Sequence, residues 1–260
     1  MSHLRLLSTD FDGTLIEHFS DGRCTAEFAE VLSHHKKAGG YWAINTGRSL
    51  WHAIEGVKKF AAPVEPDFLL TNERDIFHRG KDGQWIPDAT WNEECRRKHD
   101  ELFAKAEPLF QKIHRHAKTT QGLEIIIEDS AVTGVVTSTE EMMDEFVTYL
   151  EKASAQWPDF SYQRNTIYLR FAHRDYHKGS ALNELCRILE ISHHEVLAAG
   201  DHFNDLSMLD GQFAAYVCCP SNAIPEVQET VRAAGGHIAS KAAANGIAEA
   251  WHFFHANIKK

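Results

Sequence analysis

Residues 4–14 read Leu4-Arg5-Leu6-Leu7-Ser8-Thr9-Asp10-Phe11-Asp12-Gly13-Thr14. The stretch begins as a short apolar run and stops at two aspartates and a glycine. A buried strand that ends in a polar turn has this form. The pattern recurs. Tyr41–Asn45 runs into Thr46-Gly47-Arg48, Phe68–Leu70 is followed by Asn72, and Val196–Ala199 by Gly200-Asp201. Between the first three runs lie segments with helical spacing. Residues 25–38 carry Phe28, Val31 and Leu32 on one face, with Gly39-Gly40 ending the helix, and residues 49–60 make a second helix. Strand–helix–strand–helix–strand alternation implies a parallel sheet covered on both faces. Ligands of such sheets bind beyond the carboxyl ends of the strands, so one crevice can collect Asp10, Thr46 and Asn72.

The middle of the chain reads differently. Ile76–Ile86 has the form of a hairpin around Lys81-Asp82-Gly83. Residues 91–117 are helical, with Leu102, Phe103, Ala106, Leu109, Phe110 and Ile113 on one face and Pro108 kinking or splitting the helix. Leu123–Ile127 and Gly134–Thr137 suggest paired strands, Glu140–Gln156 a helix, and Ser161–Gln163 and Ile167–Phe171 two more strands. The alternation then resumes with a helix at 179–190, the strand Val196–Ala199, a helix at 204–210, the strand Ala214–Cys218 and a helix near 245–257. The expected fold is α/β: a Rossmann-like parallel-sheet core from residues 1–74 and 175–260, interrupted by an α+β cap domain at 75–174.

The chain has 260 residues, 43% hydrophobic and 25% charged, which suits a globular protein with a substantial core. Its 27 basic and 37 acidic residues leave a net charge of −10, which disfavours a nucleic-acid partner. No apolar run reaches the ~20 residues of a membrane span. The first residues carry no secretory pattern, and the five cysteines form no CxxC pair. A cytoplasmic protein with reduced thiols and no membrane partner is expected. Of the 17 histidines, His34-His35, His114, His116 and His193-His194 lie on helix ends or polar stretches, lack Cys or carboxylate partners at ligand spacing, and read as solvated surface.

The acidic clusters carry the chemistry. Asp10, at a strand end, can attack an electrophile in line. A phosphate dianion would repel it unless a cation lay between them, and Mg²⁺ shares carboxylates with substrate phosphates. Asp12 can protonate a leaving oxygen and then deprotonate a water. Gly13 lets the backbone turn away. In Gly200-Asp201-His202-Phe203-Asn204-Asp205, Asp201 or Asn204 can also serve as a helix cap. Together with the first cluster, however, four carboxylates at strand ends call for a bound cation. Thr46 and the Gly47 amide can donate to a phosphoryl oxygen, or simply form a turn. Lys178, just before a helix, can neutralise nucleophile and phosphate.

The set Asp10-Phe11-Asp12-Gly13-Thr14, Thr46-Gly47-Arg48, Lys178-Gly179 and Gly200-Asp201…Asn204-Asp205 resembles the four motifs of the haloacid dehalogenase superfamily of phosphohydrolases, in the family's order. An insertion between the second and third motifs is similar to the large cap of its Cof-type and sucrose-phosphatase-like branch. The resemblance implies a Mg²⁺-dependent phosphatase for a small phosphorylated metabolite, a sugar phosphate above others, working through an aspartyl phosphate. A phosphomutase of the same superfamily and a non-catalytic binder of phosphorylated metabolites are the alternatives. It implies that Asp10 is nucleophile and metal ligand, and that Asp12 is the acid/base and offers its backbone carbonyl to the metal. Asp201 would ligate Mg²⁺, while Asp205 and Asn204 orient its waters or Lys178. Thr46, Gly47 and Lys178 would hold the phosphoryl group. Asn222, in Pro220-Ser221-Asn222-Ala223, matches a phosphate-side segment of the branch. Arg48, Asn72 and Asn204 are candidate substrate residues, as are Tyr168 and Arg170, which share one face of a cap strand; exposed sheet polarity accounts for that pair equally well. The branch has Asn-Gly after its third core strand, where this chain has Asn72-Glu73. A harmless change of turn is the simpler reading, an altered substrate pocket the other.

Overall fold

The computed structural model describes residues 4–17, 22–128 and 131–258. They form two compact units, residues 1–92 with 178–260, and residues 93–177.

The first unit is built on strands β1 (Leu6–Thr9), β2 (Tyr41–Asn45) and β3 (Phe68–Thr71). Helices α1 (Ala26–Lys37) and α2 (Leu50–Phe60) connect them. A hairpin, β4 (Asp75–Arg79) and β5 (Trp85–Pro87), follows. The second unit carries α4 (Glu107–Thr119), β6 (Leu123–Glu128), β7 (Ala131–Thr137), α5 (Glu140–Ser154), β8 (Phe160–Asn165) and β9 (Tyr168–His173). Helix α3 (Ala89–Lys105) starts in the first unit and ends in the second. The chain returns to the first unit through α6 (Lys178–Leu189), β10 (Val196–Ala199), the short α7 (Leu206–Leu209), β11 (Tyr216–Cys219), α8 (Pro225–Ala233), β12 (His237–Ile238) and α9 (Ala243–Ile258).

The core sheet has eight strands in the order β12-β11-β10-β1-β2-β3-β4-β5. From β12 to β3 every pairing is parallel. The strands β1, β3 and β10 are buried at every position, as expected of a sheet covered on both faces. Alternation divides each strand between two layers. Leu7 joins Phe28, Trp42, Phe60, Leu197 and Trp251 on one face, whereas Leu6 joins Leu70, Leu182, Leu185, Val196 and Val217 on the other. Local signals agree with this packing. Thr25 caps α1 by accepting from the Phe28 amide at 3.4 Å, Glu27 lies in the first turn, and Lys36 and Lys37 in the last.

The second unit holds a four-stranded antiparallel sheet in the order β6-β7-β9-β8. Its core joins Leu102, Leu109, Phe110 and Ile113 to Phe146, Leu150, Phe160 and Phe171, so the helical stripe read from the sequence is core. Pro108 stands at the start of α4 and divides it from α3, the position where proline removes no helical hydrogen bond.

Two expectations need correction. The hairpin at 75–87 belongs to the core sheet, because β4 pairs antiparallel with β3, Phe68 opposite His78 and Thr71 opposite Asp75. It covers the hydrogen-bonding edge that β3 would otherwise expose. The inserted unit therefore begins near residue 93, not 75, and runs to 177. The segment at 204–210 is a 3₁₀ turn at Phe203–Asp205 followed by the one-turn α7, and α8 and β12 had no counterpart in the sequence reading. Helix α8 buries only Val227 and Val231, and β12 is two residues long, both too little for a periodic signal.

Phe28 is fully buried, edge-on to Trp42 with ring centroids 6.0 Å apart and tilted against Phe60 at 6.2 Å. Phe28→Ala should cost about 3–5 kcal/mol, read as a lowered urea midpoint with an unchanged denaturant slope.

Candidate active site

The strands β10, β1, β2 and β3 are neighbours and parallel, so their carboxyl ends form one crest. Connections leave β1 toward β2 on one side, while β10 lies on the other, which makes the β1/β10 boundary a topological switch point. The ladder continues one residue past two of the strands. The Asp10 amide donates to the Ala199 carbonyl at 2.9 Å, and the Thr46 amide to the Leu70 carbonyl at 2.8 Å. Asp10 is thereby fixed beside Gly200-Asp201.

The turn after Asp10 is tight. Gly13 has φ 83°, its amide donates to the Ile16 carbonyl at 2.8 Å, and a Cβ there would run into the Asp201 carboxylate. Only glycine satisfies both conditions. Thr14 donates its hydroxyl to Asp201 Oδ1 at 2.6 Å.

Asp10, Asp201 and Asp205 present carboxylate oxygens within 4.8 Å of one another, all three buried. Lys178, fully buried at the start of α6, donates from Nζ to Asp10 Oδ1 at 2.6 Å and to Asp205 Oδ1 at 2.7 Å. Burial alone would push its ammonium toward neutrality. Asp10, Asp205 and Glu73 outweigh burial and hold its pKa above the ordinary lysine value. Burial raises the Asp10 carboxyl well above its usual range; Lys178 opposes this, and Asp205, Asp201 and Asp12 add to it. Burial and Asp205 push Asp201 up to about 7, against Thr14 and Lys178. One ammonium among three buried carboxylates leaves a site short of positive charge. An all-oxygen donor set of this kind fits a hard divalent cation such as Mg²⁺.

The two clustered partners differ in what their oxygens do. Asp205 Oδ2 accepts from the Asp201 and His202 amides at 2.8 and 2.9 Å, so with Lys178 on Oδ1 both its oxygens already have donors. Asp201 keeps Oδ2 facing the Gly13 turn. The Asp12 carboxylate lies outside the cluster. Arg48 grips it through Nε at 2.7 Å and Nη2 at 2.5 Å, while the guanidinium lies 4.8 Å from the Phe11 ring centre. Thr46 is buried and accepts from the Arg48 amide at 3.2 Å, which leaves its hydroxyl proton to donate. The amides of Phe11, Asp12 and Gly47 donate to no protein acceptor among the described residues. They are ready donors for an oxyanion.

Several sequence candidates are bonded to other groups of the protein. Asn222 donates to the Gly13 carbonyl at 2.8 Å and accepts from the Ala243 amide at 2.9 Å, so its amide braces the Asp12–Gly13 turn. Asn72 donates to Asp75 Oδ2 at 2.9 Å and holds the β3–β4 turn. Arg48 is bound to Asp12. Asn204 is buried and donates to Glu73 Oε1 at 2.9 Å. Tyr168 and Arg170 lie two residues apart on β9 of the second unit, Tyr168 exposed and Arg170 half-buried. Among the described residues no histidine joins a metal-ligand cluster, the five cysteines are free, and no helix is long and apolar enough to cross a membrane. His35 departs from the surface reading: it is buried, with Nε2 2.9 Å from the Tyr41 carbonyl.

Sequence reasoning missed two residues of the crest. Thr14 belongs to the quoted motif, and a hydroxyl two residues after Asp12 was the available signal. For Glu73 the sequence offers a change of turn as the simpler reading and an altered pocket as the other. Glu73 is buried, with a carboxylate directed at Asn204 and near enough to Lys178 to act on its charge.

The raised Asp201 carboxyl has a consequence for stability. A carboxyl whose pKa rises on folding contributes stability that is fully present below its unfolded value and is lost as pH rises through the folded value. Asp10 shifts in the same direction. In chelator, the protein should melt at a lower temperature at pH 8 than at pH 5, a loss on the order of a few kcal/mol, and Asp201→Asn should flatten the trend. Calorimetric scans across that range check it; a flat wild-type profile would contradict it.

The family profile of the haloacid dehalogenase-like hydrolases matches residues 66–250. A Streptococcus pyogenes protein provisionally named a phosphatase is 23% identical over 265 residues, covering 88% of this chain and 91% of its own. The glucosylglycerol-phosphate synthase of Pseudomonas anguilliseptica is 28% identical over 249 residues, 96% of this chain; the chain spans only 30% of that relative's length. Among solved structures, the sucrose-phosphatase of Synechocystis, determined with sucrose and phosphate, aligns over 98% of each chain with a TM-score of 0.70 and 21% identity. A profile that spans well over half the chain, over a parallel sheet with this acidic crest, establishes that the protein belongs to the haloacid dehalogenase-like hydrolases.

Proposed function

We propose that this phosphoric monoester hydrolase works with Mg²⁺ on a small phosphorylated metabolite, a sugar phosphate, through an aspartyl phosphate on Asp10. The observation that carries the reading is the fully buried contact of Lys178 with Asp10, 2.6 Å, at the end of β1. It keeps a carboxylate beside a permanent cation where a phosphoryl group can reach both.

Asp10 attacks phosphorus as the ester oxygen departs, and Asp12 gives that oxygen its proton. Asp12 then takes a proton from water, the water oxygen attacks phosphorus, and the bond to Asp10 breaks to release inorganic phosphate. Arg48 holds the Asp12 carboxylate from two nitrogens, Nε and Nη2, and so fixes its orientation beside the crest. Lys178, the Thr46 hydroxyl and the amides of Phe11, Asp12 and Gly47 hold the phosphoryl oxygens. Asp205 positions Lys178 and the Asp201-His202 backbone. Asp10 and Asp201, with the Asp12 carbonyl that the family pattern implies, would hold the metal, and a bound Mg²⁺ supplies the charge that lets an anionic nucleophile approach an anionic substrate.

Support for a sugar phosphate comes from the sucrose-phosphatase and glucosylglycerol-phosphate synthase likenesses. Residues 93–177 serve in this reading as the cap that selects the substrate, with Tyr168 and Arg170 as candidate contacts beyond the phosphate. The absence of any CxxC pair and of a membrane-length apolar helix among the described residues suits a cytoplasmic protein. Phosphate release from a panel of phosphorylated sugars, nucleotides and cofactors tests the substrate class; turnover confined to non-sugar esters would overturn it.

Chelation should abolish turnover, Mg²⁺ should restore it, and Ca²⁺, with its larger and looser shell, should restore it poorly. Full activity after exhaustive chelation would refute the metal requirement. Asp10→Asn should eliminate turnover. Asp12→Asn should lose about 10²–10⁴-fold on an alkyl phosphate and much less on an aryl phosphate, whose leaving group needs little protonation. With the aryl ester, phosphorylated Asp10 should accumulate and be seen by mass spectrometry of acid-quenched protein.

A further inference from the structure

Glu73 stands where the backbone favours glycine. Asn72 and Glu73 are consecutive left-handed residues, with φ 49° and 65°. Residues with side chains persist in that region when surrounding structure holds them there, and such positions gather at functional sites. The fold gains little from a carboxylate here, since a buried charge is costly to desolvate. Yet Glu73 is only 5% exposed. Its amide donates to the Thr46 carbonyl at 3.0 Å, which ties it to the loop that carries Thr46 and Gly47. Its Oε1 accepts from Asn204 at 2.9 Å and would lie 3.0 Å from a Cβ placed on Gly47. Its charge acts on Lys178 together with those of Asp10 and Asp205. Asn204, 3% exposed, turns its amide nitrogen to Glu73 and leaves its Oδ1 without a hydrogen-bond partner among the described residues. The orientation of Asn204 is therefore set by Glu73.

The Gly47 amide and the Lys178 ammonium are the groups that would grip phosphoryl oxygens; the Glu73 carboxylate lies beside Gly47, and its charge acts on Lys178. A fixed negative charge there subtracts from the attraction both exert on an anion. We propose that Glu73 is a determinant of the phosphoryl subsite that weakens its hold on free phosphate dianion, so that the product leaves readily and inhibits little. The proposal rests on the phosphatase reading, because it concerns phosphate bound against Asp10 and Lys178. Glu73 acts through Lys178 and the Gly47 loop; it is a positioning and tuning residue and does not touch the reacting atoms.

Glu73→Gln keeps the shape and an oxygen to accept from Asn204, and removes the charge. Its inhibition constant for orthophosphate should fall about tenfold, the scale of one partly screened charge–charge interaction across a site. KM should fall with it, and kcat should fall where phosphate release limits turnover. Calorimetric titration of the Mg²⁺-loaded protein with orthophosphate should show the same tightening without any turnover. The melting temperature of Glu73→Gln should stay near wild type, which separates tuning from a structural role. Glu73→Gly, suited to the backbone, provides a second variant in case the first does not fold, and should tighten phosphate at least as much. Glu73→Asp, which keeps the charge, should remain closest to wild type. Unchanged or weaker phosphate binding in both Glu73→Gln and Glu73→Gly, with wild-type turnover of an ester intact, would overturn this proposal alone. A wild-type protein that releases phosphate from no ester would overturn the phosphatase reading and this proposal with it.

Discussion

The crest of this protein depends on one buried ammonium. Lys178 has no exposure to solvent and sits between Asp10 and Asp205, which approach from opposite sides of the β1/β10 boundary. Three acidic side chains could not share so small a volume without it, because each would have to surrender its hydration against two like neighbours. The fold holds this lysine by its backbone as well. Asn45, the last residue of β2, donates to the Lys178 carbonyl at 3.0 Å, and the Gly179 amide donates to Ser207 Oγ at 3.1 Å. The start of α6 is thus pinned to a strand end on one side and to α7 on the other.

Around that ammonium each acidic group has a different environment, and the environments separate their roles. Asp205 is satisfied on both oxygens by Lys178 and two backbone amides, which makes it a fixed element of the site. Asp201 has a donor from Thr14 but an oxygen directed toward the Gly13 turn, and Asp10 has the ammonium on one oxygen. Asp12 is turned to Arg48 and is about a third exposed, wetter than the others. Two carboxylates two residues apart in sequence therefore differ in burial and partner, the usual basis for giving one the work of a nucleophile and the other that of an acid/base. The Gly13 turn follows both, and Asn222, in the loop between β11 and α8, braces that turn.

Much of the crest was legible because a parallel sheet writes its site into the ends of its strands. The apolar runs β1, β2, β3 and β10 could be found by composition alone, and the polar residue after each had to lie on the same edge once the connections were taken as helical crossovers. Asp10, Thr46, Lys178 and Asp201 follow from that rule and from the family pattern. The second unit was legible for a similar reason: the stripe Leu102–Ile113 needed a sheet to cover it, and β6 to β9 supply one.

What a residue's side chain bonds to was not legible, because it depends on which loops the fold brings together. Arg48 and Asp12 are 36 residues apart, Asn222 and Gly13 are 209 apart, and no local pattern couples them. The hairpin at 75–87 reads identically whether it pairs with β3 or with a separate sheet; the free edge of β3 decided the matter. Glu73 shows the same division. The sequence by itself determined that a carboxylate follows Asn72 at the end of the third strand. Only tertiary structure decided that the carboxylate is buried against Asn204 and Gly47 and within reach of the charge on Lys178, because three other strand ends converge there and exclude the water that would have screened it.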